Sequence, residues 1–175
     1  PVSIPVWKMA PALVAGNTVV LKPAELTPLT AAKVVEIFAA AGAPVGVVNL
    51  VLGAGEEVGD ELVQSKTVRA VSFTGSTEVG AMIYANGARG LKKCQCEMGG
   101  KNPVVVLADA DLALAAESVV FGAFGSTGQR CTATSRVVVE EAVADQLVRM
   151  IVERAKKMKV GNGLESGVDM GPAVD

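Results

Sequence analysis

Apolar positions along the chain switch repeatedly between helical spacing and short continuous runs. Residues 5–15 (PVWKMAPALVA) are compatible with a helix that stops at Gly16-Asn17. Thr18–Leu21 is a β-branched run that predicts a buried strand. Over Thr30–Ala41, Val34, Ile37, Phe38 and Ala41 fall on one helical face, with Lys33 and Glu36 elsewhere and Gly42 as the stop. Next come a strand at Val47–Val51, a short helix at Glu56–Gln64, a strand at Ala70–Phe73, a helix at Ser76–Asn86 and a strand at Lys93–Met98. After Gly99-Gly100 the texture repeats: strand Pro103–Leu107, helix Leu112–Phe124 with Asp109 or Asp111 as its cap, strand Arg136–Val139 and helix Ala142–Lys157. This alternation, with continuously apolar strands, predicts an α/β fold whose parallel sheet is covered on both faces. The glycine pair is the candidate boundary between a domain at 1–98 and another at 99–175.

Composition narrows the function classes. Half of the 175 residues are hydrophobic and 19% are charged, yet no apolar run approaches the roughly 18 residues of a membrane span. The same hydrophobic content excludes a disordered chain. A net charge of −2 and a 3% aromatic content give no electrostatic or stacking case for nucleic acid or a membrane surface. There is no histidine, so no Ser-His-Asp triad, Cys-His dyad or His-ligated metal can be built, and no metal site is expected. Three cysteines, an odd number without a signal peptide, favour a reducing, cytoplasmic setting. The missing initiator Met and the surplus of apolar residues lead us to expect a piece of something larger.

Five stretches carry candidate chemistry. Lys22-Pro-Ala-Glu25 directly follows a strand, where an open parallel sheet binds ligands; Glu25 suits ribose hydroxyls and Lys22 a ribose or phosphate, against a plain solvated loop. Phe73-Thr-Gly-Ser-Thr-Glu-Val-Gly80 is a strand, tight turn and helix start, a setting for pyrophosphate, against a capped helix without a ligand. Gly53-Ala-Gly55-Glu-Glu-Val-Gly59 has a dinucleotide-like glycine spacing, but its two acids repel phosphate, so it lines a pocket wall at most. In Cys94-Gln-Cys96-Glu97 the thiols share one strand face as structural groups, while Glu97 lies on the other. Partial desolvation there would raise its pKa toward that of a general base. Ser126–Arg136 (STGQRCTATSR) is a polar, glycine-containing loop with an isolated Cys131 beside Arg130, against an incidental surface thiol.

Together these stretches resemble an NAD(P)-dependent aldehyde dehydrogenase. The likeness is carried by WKMAPALVAGNTVVLKPAE (Trp7–Glu25), FTGSTEVG (Phe73–Gly80), EMGGKNP (Glu97–Pro103) and GQRCTATSR (Gly128–Arg136), in family order through the whole chain. Its flavour is that of the 2-oxoglutarate semialdehyde (2,5-dioxopentanoate) dehydrogenase branch. The resemblance implies a Rossmann-like cofactor domain, partial at 1–98, followed by the start of the catalytic domain at 99–175. It implies Cys131 as nucleophile and Glu97 as the base that activates water, with Lys8 a structural or proton-relay residue. It also implies Lys22 and Glu25 at the adenosine ribose and Ser76 at the pyrophosphate, in a cleft shaped by Gly55, Gly59, Gly75, Val79 and Gly80. NAD is the implied cofactor, with NADP possible, because Glu25 repels a 2′-phosphate. A small-molecule aldehyde is the implied partner, and a homodimer or homotetramer the implied assembly.

Several family features fall outside this sequence. The oxyanion Asn of the family's N-F-P would precede Pro1, and its E-x-F-G-P motif would follow Asp175, so the 175-residue chain alone is expected to be inactive. Cys96 stands where the family usually has a bulkier apolar residue. The rival readings are a relative that passes its acyl group to coenzyme A, which Glu97 disfavours, and a non-catalytic dinucleotide binder, which the joint presence of Cys131 and Glu97 disfavours.

Overall fold

A computed structural model describes residues 1–174. The elements are α1 (Ser3–Val14), β1 (Val19–Leu21), α2 (Pro28–Ala40), β2 (Val48–Leu50), α3 (Asp60–Gln64), β3 (Ala70–Gly75), α4 (Thr77–Arg89), β4 (Lys93–Met98), β5 (Asn102–Val106), α5 (Leu112–Phe124), β6 (Thr134–Val139) and α6 (Glu141–Ala155). The class is α/β and every strand pairing is parallel, as expected. Among the described residues the strands hydrogen-bond two by two, β1 with β2, β3 with β4 and β5 with β6. The chain divides into two compact units, Pro1–Met98 and Gly99–Asp175.

In the first unit, α4 lies against the β3–β4 pair along a stripe of Gly80, Ile83 and Gly87, its buried residues. Small residues at this spacing let the helix approach the strands closely. A Cβ at Gly80 would come 2.5 Å from the Met98 sulfur, and one at Gly87 would collide with Cys94 Sγ. Cys94 and Cys96 are half-buried on this closed face, whereas Lys93, Gln95 and Glu97 alternate onto the opposite, exposed one. The Cys96 thiol donates weakly to the Gly80 carbonyl (3.6 Å), so a compact side chain fits where the helix comes closest. The expected helix at Glu56–Gln64 divides into a wide turn, Gly55–Gly59, and α3. On α2 the buried residues are Ala31 and Val34, while Ile37, expected on the apolar face, is 66% exposed. The covered stripe runs through Ala31, Val34, Val35 and Phe38, at i, i+3, i+4 and i+7, which leaves Ile37 to one side of it.

In the second unit, Val106, Ala116 and Leu147 form a buried cluster, with Val104, Leu112, Val137, Val139, Met150 and Ile151 packed around it. Helices α5 and α6 therefore cover one face of β5–β6. The sequence pattern predicts cover on both faces, but Val105 and Val138, which alternate to the other side, are 65% and 55% exposed. Of the two candidate caps for α5, Asp111 is the one that serves: its carboxylate accepts from the amides of Ala113 (2.9 Å) and Leu114 (3.1 Å). Replacing Asp111 by Ala leaves both donors without that acceptor, and we expect a loss of about 1 kcal/mol. The measurement is the midpoint of chemical denaturation, and an unshifted midpoint contradicts the capping role.

Candidate active site

Each unit carries part of the candidate chemistry. In the first unit, the parallel β1–β2 pair brings the carboxyl ends of both strands to the same edge, so that Lys22 and Gly53 emerge side by side. Lys22 Nζ donates to the carbonyls of Pro23 (3.0 Å) and Gly53 (3.1 Å) and to Glu25 Oε1 (3.1 Å). An ammonium has three donors, so these local partners use all of them. The same Glu25 oxygen accepts from the Gly55 amide at 2.6 Å. Both bonds fall on Oε1, which orients the exposed carboxylate while Oε2 makes no hydrogen bond among the described residues. The Lys22 hydrogen bond first, then the Gly55 amide, hold the Glu25 carboxyl below the ordinary glutamate range. Lys22, expected from sequence at a ribose or phosphate, here orders Glu25 and the Gly53–Gly55 turn. Glu56 and Glu57 are exposed on that turn.

The segment after β3 forms the start of α4. Ser76 caps it, its Oγ accepting from the Val79 amide at 3.2 Å. Gly75 closes β3 directly over the Phe73 ring, where any Cβ would displace the ring. Val79 is exposed, and Gly80 is buried against Met98 and Phe73. Gly59 ends the wide turn and has open space around it.

Glu97 sits near the end of β4, opposite Thr74 of β3. It is exposed in this chain, not in the apolar surroundings expected from sequence, and its Oε1 accepts from Gln95 Nε2 at 3.1 Å. Lys8 reaches the same face from α1, donating to Ser72 Oγ (2.8 Å) and to the Phe73 carbonyl (3.1 Å). Burial lowers the Lys8 pKa, and the Glu97 carboxylate opposes that fall. On the closed face, burial and the neighbouring Cys94 push the Cys96 thiol up while Lys8 opposes, so Cys96 stays protonated and structural.

In the second unit, Cys131 is exposed in a turn closed by the Ala133 amide donating to the Arg130 carbonyl (2.9 Å). Such a turn uses its first carbonyl and its last amide, so it does not consume the Cys131 N–H. Asn102 Nδ2 clamps the loop from β5, donating to the carbonyls of Cys131 (2.7 Å) and Ala133 (3.1 Å). The β5–β6 register shifts between Asn102 and Pro103, where proline has no amide for the ladder. Before the turn, Ser126 (φ 54°), Thr127 (φ 61°) and Gly128 (φ 66°) are left-handed in succession, a costly conformation for the first two. Arg130 lies 5.3 Å from the centroid of the Phe121 ring and donates to the Phe121 carbonyl (3.4 Å). Neither Asn102 nor the left-handed turn was among the residues read from sequence as functional. The only signal for Asn102 is its place in GGKNP, and Ser-Thr carries none for positive φ. Among the described residues no group of three or more His, Cys, Asp or Glu could hold a metal. No helix there is long and apolar enough to cross a membrane.

With this geometry in place, the chain can be set beside known proteins, and it belongs to the aldehyde dehydrogenase family. The pattern described as "Aldehyde dehydrogenase family" matches residues 1–175. Among its relatives, the 2,5-dioxopentanoate dehydrogenase of Saccharolobus solfataricus is 56% identical over 177 residues, which cover 100% of this chain and 37% of that protein. The alpha-ketoglutaric semialdehyde dehydrogenase of Bacillus subtilis is 54% identical over 173 residues, 98% of this chain and 35% of its own. The structure of betaine aldehyde dehydrogenase from Staphylococcus aureus in complex with NAD+ aligns with a TM-score of 0.93 at 43% identity, over 97% of this chain and 34% of that one. The chain thus spans about a third of the length of the relatives it matches.

Two outcomes follow from these contacts. The Glu25 carboxyl, depressed by its partners, contributes stability to the Gly53–Gly55 turn that is present above its unfolded pKa of about 4.3 and is lost as pH falls through the lower folded value. Lys22→Met should move the carboxyl titration upward toward the ordinary glutamate value, as followed by carbon-13 NMR; an unchanged titration refutes the assigned cause. At Gly128 a Cβ would lie 2.6 Å from the Ala123 carbonyl oxygen, at a positive φ. Gly128→Ala should therefore destabilise by about 2 kcal/mol and change the rate of Cys131 alkylation. Wild-type stability together with wild-type labelling would contradict the tightness of the turn.

Proposed function

We propose that the whole protein oxidises an aldehyde to a carboxylic acid with NAD+, NADP+ being possible, and that a semialdehyde such as 2-oxoglutarate semialdehyde is the substrate. The observation that carries the chemistry is Cys131, exposed on a turn whose backbone is clamped by Asn102 and whose own amide is not used by the turn bond. The names of the two semialdehyde dehydrogenase relatives support the substrate class.

The Cys131 sulfur adds to the aldehyde carbon, and the oxygen that becomes negative is met by the Cys131 amide. The resulting thiohemiacetal gives up hydride and becomes a thioester on the same sulfur. Glu97 takes a proton from water, the oxygen attacks the thioester carbon, and the C–S bond breaks to return the thiol and release the acid. Overall, aldehyde, oxidised cofactor and water give acid, reduced cofactor and a proton.

The residues present suit a dinucleotide. Glu25 offers an oriented carboxylate oxygen for the ribose diol, and the α4 start offers amides beside Gly75 and Ser76 for the pyrophosphate. Gly55, Gly59, Val79 and Gly80 would shape that cleft, with Lys22 supporting Glu25. When bound, the nicotinamide supplies the hydride acceptor. The charge of Glu25 disfavours a 2′-phosphate. On this reading residues 1–98 are part of the cofactor domain and 99–175 the start of the catalytic domain. The three free cysteines suit a reducing cytoplasm, and we take the assembly to be a homodimer or homotetramer.

In the full-length protein, Cys131→Ala should abolish NADH formation from semialdehyde. Glu97→Gln should retain the first burst of NADH but slow turnover by about a hundredfold or more. Steady NADH production by the Cys131 variant would refute the nucleophile.

A further inference from the structure

The open face of β3–β4 carries a continuous hydrogen-bonded chain of four side chains. Lys8 Nζ donates to Ser72 Oγ at 2.8 Å, Ser72 Oγ donates to Gln95 Oε1 at 2.8 Å, and Gln95 Nε2 donates to Glu97 Oε1 at 3.1 Å. The parallel register makes the middle of it possible, because Ser72 and Gln95 are direct partners across the two strands and so project from the same face. A further bond from Lys8 Nζ to the Phe73 carbonyl, 3.1 Å, ties the chain to the β3 backbone.

The two ends dictate how the protons between them are arranged. A charged ammonium can only donate, and an ionised carboxylate can only accept. With Lys8 donating to its oxygen, Ser72 has its own proton for Gln95, and that fixes the Gln95 amide with its carbonyl toward Ser72 and its NH2 toward Glu97. The reverse amide orientation would set NH2 against a hydroxyl proton and a carbonyl against a carboxylate. The chain is therefore polarised in one direction, from cation to anion. It does not conduct protons, because the Gln95 amide nitrogen has no basic lone pair with which to receive one. What it transmits is orientation.

We propose that Gln95, held by Ser72 and Lys8, is a positioning residue for Glu97 in thioester hydrolysis: it occupies Oε1 and turns Oε2 toward the water. The sequence reading placed Lys8 near the site but gave no role to Ser72 or Gln95. A carboxylate swinging freely at a strand end spends most of its time in unproductive rotamers, whereas one fixed at a single oxygen presents the other repeatedly in the same place. Because this rests on Glu97 being the base, the test separates the two claims.

The experiment uses the full-length enzyme in rapid-quench mode with a semialdehyde substrate. The NADH burst reports acylation of Cys131, and decay of the acyl-enzyme reports hydrolysis. With Gln95→Leu and with Ser72→Ala we expect the burst to keep its amplitude and rate within about twofold, and acyl-enzyme hydrolysis to slow about tenfold, the effect of losing one hydrogen bond to a charged group. Ser72→Thr, which keeps the hydroxyl, should restore hydrolysis to near the wild-type rate. The intact burst also shows that the variants are folded. Hydrolysis at the wild-type rate in Gln95→Leu, while Glu97→Gln is slow, overturns the positioning role and leaves the base in place. Wild-type hydrolysis in Glu97→Gln overturns both. A failure of Ser72→Thr to recover, or an equal loss of burst and hydrolysis in Gln95→Leu, also overturns the proposal, since a general packing defect would do the same.

Discussion

The parallel register of β3 on β4 is the constraint on which the first unit depends. Because successive side chains alternate between faces, the single pairing of Ser72 with Gln95 sends Cys94, Cys96 and Met98 one way and Lys93, Gln95 and Glu97 the other. The first set meets α4, which comes close only because Gly80 and Gly87 have no side chain. The second set meets the reach of Lys8. A slip of one residue would exchange the two sets, burying the carboxylate under a helix and exposing the thiols. Packing on one side thus enforces chemistry on the other.

The two units hold their reactive groups by different means. In the first, charged side chains are oriented by other side chains and by single backbone groups, as with Lys22, Glu25 and the Gly55 amide. Such contacts respond to pH and to the loss of one partner. In the second, the turn bearing Cys131 is fixed by backbone carbonyls that accept from Asn102, and by a run of left-handed residues. Those contacts involve no titrating partner. Side-chain contacts thus order the charged groups of the first unit, and main-chain geometry the turn that bears Cys131.

Much of this was legible in the sequence where local signals are strong. Lys93–Met98 and Leu112–Phe124 were read with the bounds they have, since a strand of alternating partners and a capped apolar helix each carry a clear period. Ile37 was misread because an apolar residue next to a helical stripe looks like a member of it. That the strands would pair in twos was not legible either, since an apolar run does not name its neighbour. At the site, the resemblance singles out Cys131 and Glu97, whereas residue type alone leaves Cys131 an incidental surface thiol and places Glu97 in apolar surroundings it does not have. Asn102 was missed because its effect passes through a carbonyl, and the turn at Ser126-Thr127 because nothing in those residue types foretells a positive φ. Arg130, named from the sequence as the neighbour of Cys131, lies against an aromatic ring.

The strained turn also has an anchor well removed along the chain. Thr127 Oγ1 donates to the Gly171 carbonyl (3.5 Å), and the Val174 amide donates to Gln129 Oε1 (3.3 Å), so the irregular segment beyond α6 grips both sides of Gly128. The turn that bears Cys131 is thereby tethered to a stretch that belongs to no helix or strand. Changes within residues 171–174 would therefore reach the Cys131 turn from outside its own loop, which makes this outlying strip a place where divergence can act at a distance.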